Sequence, residues 1–468
     1  MPLSRGPLRR AGKAAGRSGH PRSRLVRTAH RCRRRRLAGP APPGAGRHHD
    51  PAGVARGKAV VKRAGPQAGL FFHLHPARVA ASSLRPTATL GLGILSAVLF
   101  ALLALSGTLL TLYYLPTTSQ AYGSMLDIQY LVPLGGFLRT VHRWAAHLMV
   151  VTVALHLLRV VACAAYRGRA RNWFIGLGLG ASTLLLAFTG YLLPWDGRAY
   201  WAVRVSTGML DNLPLAGGLL RGLLLGGDSV GAATLVRFYA AHVFFLPLLL
   251  LLLFVWHLWR LRRDGGLARP GEPEQLLPAR PHLLVREAAL ALAACAVVAS
   301  AAWLWPVELG AVIDTVRPAD PEKAPWYFLG VQEMVSHSTL WGALLVPGLL
   351  TVFLAALPFA DGAGRYTGVW WGAGRRRSLL AAVALLALLV MATCLWLEWR
   401  QLRPAGIHPS AVMTILALLA GVAGWLLARS RRAALLAFFV VMVVALGGFT
   451  LAGWWRGSGW RLLLPWAG

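Results

Sequence analysis

Nine apolar runs, each near twenty residues long, recur along the 468-residue chain at roughly 89–112, 140–165, 173–193, 236–260, 285–305, 339–358, 378–398, 409–428 and 433–453. At about 1.5 Å of rise per residue, each run as a helix crosses a hydrocarbon core of about 30 Å. The pattern predicts an all-α, polytopic membrane protein. Between the fourth and fifth runs lies a Pro- and Gly-rich stretch, Gly265 to Pro281. It predicts a boundary between a four-helix unit (68–264) and a three-helix unit (282–400), with two further helices in 401–468. Before the first run, Phe71 to Arg85 reads as a short amphipathic segment on the membrane surface.

Composition agrees with this reading. Only 14% of residues are charged, against about a quarter in soluble domains. The 19 tryptophans suit interfacial aromatic belts. The net charge of +33 is unevenly spread: residues 1–67 hold 18 Lys and Arg against one acid, Asp50. That segment has no apolar run and cannot bury enough surface to fold alone. It reads as a disordered cytoplasmic tail near anionic lipid, or as sequence upstream of a later start, rather than as a nucleic-acid arm built on Arg33 to Arg36. No apolar stretch follows it as in a signal peptide.

Basic clusters set the expected orientation. Arg167, Arg169 and Arg171 follow the second run, and Arg260, Arg262 and Arg263 the fourth. Arg375 to Arg377 precede the seventh, and Arg429, Arg431 and Arg432 follow the eighth. If spans alternate, all lie on one side, with the basic tail. That side is expected to be the cytoplasmic face of a bacterial inner membrane. Arg198, Arg204, Arg221, Arg400 and Arg403 run against the trend.

Chemistry-bearing residues sit inside the apolar runs. His142 and His156 are fourteen apart, so they share a helix face to within about 40° and lie about 21 Å apart in height. His242 and His257 are fifteen apart, near 60° and about 22 Å. Two helices thus offer two imidazoles each at matching depths, the arrangement for two haem irons with imidazole on both faces. Intramembrane ionisable residues are costly and usually functional. His147 is rotated about 140° from His142 and is read as structural. Gly93 and Gly107, and Gly176 and Gly190, repeat the fourteen-residue interval; glycine there lets a flat macrocycle approach the backbone. Arg139, Arg143 and Arg159 flank the histidines, where guanidinium suits haem propionates or snorkels to the interface. Cys32, Cys163, Cys295 and Cys394 form no CxxC or CxxCH, so no ordinary c-type haem or cysteine-held cluster is expected.

These residues carry a family resemblance. Arg139-Thr-Val-His-Arg-Trp144, His156, Gly190-Tyr-Leu-Leu-Pro-Trp-Asp196, Tyr200-Trp-Ala202 and Arg237-Phe-Tyr-Ala-Ala-His242 resemble cytochrome b of quinol–cytochrome c reductases. The spacing of His242 and His257 resembles the plastoquinol-type branch. Asp320-Pro-Glu-Lys-Ala-Pro-Trp-Tyr-Phe-Leu329 and Pro358-Phe-Ala-Asp361 resemble that branch's separate subunit four, here fused. The resemblance implies an outer, low-potential haem on His142 and His242 and an inner, high-potential haem on His156 and His257. It further implies quinol oxidation between Pro194-Trp195-Asp196 and Pro325-Trp326-Tyr327. Its expected partners are a Rieske-type iron–sulfur protein, cytochrome c or an equivalent acceptor, and a second copy of the chain.

Two departures stand out. Pro325 occupies the place of the glutamate that many family members use to take a quinol proton, so Glu333 or Asp196 becomes the candidate acceptor. Gly91 stands where the plastoquinol type has the cysteine of an extra covalent haem, so none is expected. The four histidines alone leave open a simpler dihaem conduit for another oxidoreductase, or a transporter with a histidine proton relay. The last two runs have no counterpart in the minimal family pattern.

Overall fold

The computed structural model describes residues 76–267, 275–316, 322–362, 370–371, 374–402 and 406–463. The basic tail 1–67, Phe71 to His75, much of the 265–281 stretch, Asp320, Pro321 and Arg403 lie outside the described residues.

All nine expected spans are helices among the described residues. They are α1 (Leu92–Thr111), α2 (Gly135–Ala162), α3 (Ala170–Leu192), α5 (Ala232–Arg263), α6 (Ala279–Leu304), α8 (Leu340–Ala360), α9 (Arg375–Trp399), α10 (Pro409–Ala428) and α11 (Arg431–Trp454). Two shorter helices matter for the site: α4 (Gly197–Gly208) and α7 (Trp326–His337). Among the described residues the fold is all-α apart from one small ribbon.

That ribbon ties the described part of the segment before α1 to the end of the linker. Arg78–Ala80 (β1) pairs antiparallel with Leu276–Pro278 (β2), and a 3-10 turn, Ala81–Leu84, follows β1. The entry to α1 is thus hydrogen-bonded to the entry to α6, and the described residues fall in one compact unit. Gly91 begins α1 at φ +64°, and Leu290 of α6 packs where its side chain would be.

Helices α5 and α8 each contain one π turn, Ala241–Phe245 and Leu340–Leu345. Each turn ends two residues before a proline, Pro247 or Pro347. Proline has no N–H for the carbonyl four residues back, Val243 or Ala343. The ladder widens there to accommodate the loss.

Helix α1 packs on α2, α3 on α5, and α6 against both α1 and α2. Leu99, Val141, Ala145, Met149, Val298 and Ala302 form their shared core. In the C-terminal half the unassigned last helix is central. α11 packs on α7, α9 and α10; 44% of its apolar window is buried, against 11% for α5. Leu436, Phe439, Val441, Met442, Ala445 and Phe449 supply much of that core.

The first turn of α11 is locked by charge. Arg432 donates to Asp361 Oδ2 and the Tyr166 hydroxyl, both at 3.0 Å, and to the carbonyls of Val161 and Ala162 at 3.0 and 2.8 Å. Arg167 donates to both oxygens of Asp361, at 2.8 and 2.7 Å. Burial, and then the hydrogen bond to Asp361, push the Tyr166 phenol above its usual range. Two arginines counted as a basic flank in the sequence thus hold α2, α8 and α11 together.

Candidate functional site

The four histidines fall into two storeys. His142 on α2 and His242 on α5 face each other with ring centres 6.2 Å apart and planes at 71°. Two imidazole–metal bonds of about 2 Å, with about 1 Å more from each nitrogen to its ring centre, span about 6 Å. One metal atom therefore fits between them. His156 and His257 line a cavity of about 2730 Å³ together with Gly93 and Gly176.

The π turn explains the unequal histidine spacings. Fifteen residues of regular helix leave an angular offset of about 60°. A π turn absorbs one extra residue, and His242 lies within it. The offset then becomes about 40°, the same as that of the fourteen-residue pair on α2.

Hydrogen bonds set the tautomers of the first storey. The Nδ1 of His242 lies 3.0 Å from the Leu186 carbonyl. A carbonyl only accepts, so Nδ1 carries the hydrogen and Nε2 keeps its lone pair. The Nδ1 of His142 lies 2.9 Å from Ser106 Oγ. That hydroxyl already donates to the Leu102 carbonyl at 2.7 Å, so it accepts from His142 and again leaves Nε2 free. Such partners orient metal-bound imidazoles and raise their basicity.

The four glycines pack on the histidines. Each faces a histidine ring, and Gly93 and Gly176 also line the large cavity. A Cβ on Gly107 would lie 3.1 Å from His142, on Gly176 3.5 Å from His257, and on Gly93 3.8 Å from His156. On Gly190 it would collide with the His242 ring. The repeated fourteen-residue interval makes room for the imidazoles themselves.

The flanking arginines are mostly committed elsewhere. Arg139 is buried and donates to Gln129 Oε1 at 2.7 Å and to the Val307 carbonyl. Arg159 donates to the Ala88 carbonyl at 2.9 Å. Arg143 lies over the Tyr191 ring at 5.8 Å. It lines a pocket of about 250 Å³ with Pro194, Asp196, Arg198 and Glu308.

The histidine half and the C-terminal half meet at the Asp196 end. Asp196 caps α4, accepting from Ala199 N at 2.8 Å, and its other oxygen accepts from Gly310 N at 2.9 Å. It ties the Pro194-Trp195 turn to the loop before α7, and Trp195 is buried against Tyr200. Pro325 begins α7. Trp326 and Tyr327 line the large cavity, whereas Pro194 and Asp196 line the small one. The two motifs are thus neighbours that border separate spaces. The Tyr327 phenol is pushed up to about 12 by burial, with nearby Arg143 opposing the rise.

His147 is closer to this region than its rotation off the His142 face suggested. Its Nδ1 accepts from Trp326 Nε1 at 3.1 Å, and its ring centre is 6.0 Å from that of Tyr327.

Glu333 lies on the same helix as Trp326 but is enclosed by charge. It is fully buried and paired with Arg456, which follows α11. Trp460 Nε1 also donates to it at 3.1 Å. His337 and Glu398 complete the cluster. Three ligand-type side chains converge here, but the Arg456 guanidinium already occupies the position a cation would take. The sequence offered no signal for this partner, because Arg456 is 123 positions from Glu333.

A family model for cytochrome b/b6/petB matches residues 80–265, the stretch with all four histidines and their glycines. Cytochrome b6 of Mastigocladus laminosus is 40% identical over 161 residues, covering 34% of this chain and 75% of that protein. The chain belongs to the cytochrome b/b6 family. Cytochrome b6 of Emiliania huxleyi is 38% identical over 175 residues, 37% of this chain and 81% of the relative. A solved chain described as a hyperthermophilic respiratory Complex III shares the fold, with a TM-score of 0.60 and 24% identity. It covers 81% of this chain and 96% of its own length, so the likeness in fold continues past residue 265 into the C-terminal helices. Membership in the cytochrome b/b6 family makes this a haem-binding, electron-carrying membrane protein. The residues fit such a group: an imidazole pair at metal-bridging separation, oriented rings and glycines that admit them.

Proposed function

We propose that this cytochrome b is the membrane subunit of a quinol oxidoreductase that delivers electrons to cytochrome c or a similar acceptor. Quinol is oxidised at the Asp196 end, which faces outward from a bacterial cytoplasmic membrane, while the N-terminus is inside. The domain division is 68–264 for the cytochrome b6-like half and 282–400 for the subunit-four-like half. His142 with His242, and His156 with His257, would each hold one b-type haem. A haem so held would supply reversible one-electron transfer.

The chain's own residues do the rest. The Ser106 hydroxyl and Leu186 carbonyl fix the imidazoles before any group binds. Fourteen residues of α2 set the storeys about 21 Å apart, most of the way across the apolar layer. Trp326 and Tyr327 border the cavity that receives the quinol ring. Arg143, Pro194 and Asp196 border the polar pocket beside it. The chain has no cysteine pattern for an iron–sulfur centre or a c-type haem. A Rieske-type protein and a cytochrome c therefore complete the electron path, with proton release outside and uptake inside. The complex is a homodimer. The fold likeness to a respiratory Complex III chain supports the assembly.

The observation that carries this reading is the opposed His142 and His242 pair, with each Nδ1 bonded away from the other ring. A reduced-minus-oxidised spectrum of the purified protein tests it. A b-type band that appears on adding quinol is expected; no band with any reductant overturns the dihaem reading.

A further inference from the structure

Hydrogen-bond accounting at the Asp196 end locates a proton. Arg456 Nε lies 3.0 Å from both oxygens of Glu333, and Nη1 donates to the Trp460 carbonyl at 3.1 Å. Its Nη2 has two hydrogens, directed at Glu333 and, at 2.7 Å, at Glu398. Glu333 is thereby saturated as an anion. His337 Nδ1 lies 2.9 Å from the Glu333 backbone carbonyl, which only accepts, so Nδ1 carries a hydrogen. Its Nε2 lies 3.0 and 3.1 Å from the two oxygens of Glu398. Arg456 Nη2 is also 3.4 Å from Nε2, but its hydrogens are already directed at the carboxylates. A further hydrogen must therefore lie between Nε2 and Glu398. With it, two carboxylates balance one guanidinium and one imidazolium.

We propose that the His337–Glu398 pair is a proton-carrying site that serves quinol oxidation, in place of the carboxylate that Pro325 replaces. The proposal rests on the quinol-oxidising reading above. Three observations place the pair for this task. His337 ends α7, the helix that begins with Trp326 and Tyr327, and Glu398 reaches it from the last turn of α9. Trp396, Trp399 and Trp455, the chain neighbours of Glu398 and Arg456, line the same cavity as Trp326 and Tyr327. The Glu398 side chain is 16% exposed, whereas that of Glu333 is fully enclosed; the pair therefore has an outlet that Glu333 lacks.

The balance is simple. Oxidising one quinol breaks two O–H bonds and releases two electrons and two protons. The electrons leave to the one-electron acceptors named above. For each of the two quinol protons in turn, the pair first releases its shared proton to solvent through Glu398 and then takes the proton from the quinol. The titratable and charged groups facing it are Glu333 from α7, Cys394 one turn earlier on α9, and Arg456 from the segment after α11. Lys323 anchors nearby on the Trp454 carbonyl at 2.7 Å.

The test uses the haem-loaded complex with its electron-accepting partners and a short-chain quinol. Turnover is measured against pH, and an infrared difference spectrum is recorded on quinol addition. In Glu398→Gln, turnover should fall about a hundredfold, the low end for a lost proton acceptor. Its pH dependence should flatten and a carboxyl band should disappear, with the haem spectrum unchanged. Glu398→Asp, one methylene shorter, should regain pH dependence at a reduced rate; it also serves if the Gln variant fails to assemble. Wild-type turnover and pH profile in Glu398→Gln overturn the proposal. So does an equal slowing at every pH with the carboxyl band retained, which marks a purely structural role. So does a pH profile that changes with His147→Gln but not with Glu398→Gln. A wild-type complex that oxidises no quinol overturns the underlying reading instead.

Discussion

Helices α1 to α5 and helices α7 to α11 draw on the same apolar residues but pack on opposite plans. The first group is built around space. Its glycines face imidazoles, its His156–His257 storey borders a large cavity, and α5 buries little of its surface within the chain. The second group is built around a filler. α11 occupies its middle, and arginines clamp both ends, Arg432 on Asp361 and Arg456 on Glu333 and Glu398. A half that must admit a large flat group leaves room where packing would otherwise stabilise it. A half that must hold one helix, α7, in place fills its interior and ties its ends.

The largest effect expected from this contrast comes from the ligands. His156→Ala should halve the haem content, read as haem per protein, and stall quinol oxidation after one turnover; two haems in that variant refute the assignment of the inner pair.

The glycines sharpen the comparison within the first half. Gly190→Ala should displace His242 and deplete the haem of that storey, because the new methyl meets the ring. Gly93→Ala should leave both haems in place, since its methyl would lie at ordinary contact distance from His156. Equal haem content in the two variants would break the link between glycine and ring.

The clamps act on stability instead. Arg432→Met leaves Asp361 buried with one guanidinium fewer. Loss of one partner from a buried pair costs about 3–5 kcal/mol, so thermal unfolding should occur at lower temperature with haem per folded protein unchanged. Haem loss before unfolding would show that the two halves are not separable in this way.

The smallest effect is expected at Ser106. Ser106→Ala removes the partner of His142 Nδ1 and should weaken haem retention about tenfold, the low end for an outer partner of a metal ligand. It should also shift the redox potential of that storey relative to the other.

Much of the site was legible before any coordinates. Histidine and glycine spacings are statements about one helix each, and a helix converts spacing into direction and height without help from its neighbours. The hydroxyl before two of the glycines, Ser106 before Gly107 and Thr189 before Gly190, was an available signal for the anchored storey. Thr189 Oγ1 lies 3.3 Å from His242 Nδ1. The π turn at His242 was also signalled, by Pro247. The candidacy of Glu333 could not be weighed in this way. Its environment comes from α9 and from the segment after α11, far along the chain. The same holds for His147, which meets Trp326 from 179 positions away.

By itself, then, the order of residues determined which segments cross the membrane, which helices carry imidazoles and which faces they share, because hydrophobic run length and helical period are local properties. Tertiary structure alone decided which carboxylates are locked by guanidinium, which ring nitrogens remain open and that the last helix is central. Those outcomes depend on groups distant in sequence, 36 positions apart for Ser106 and His142 and 123 for Glu333 and Arg456, and no period in the sequence encodes such meetings.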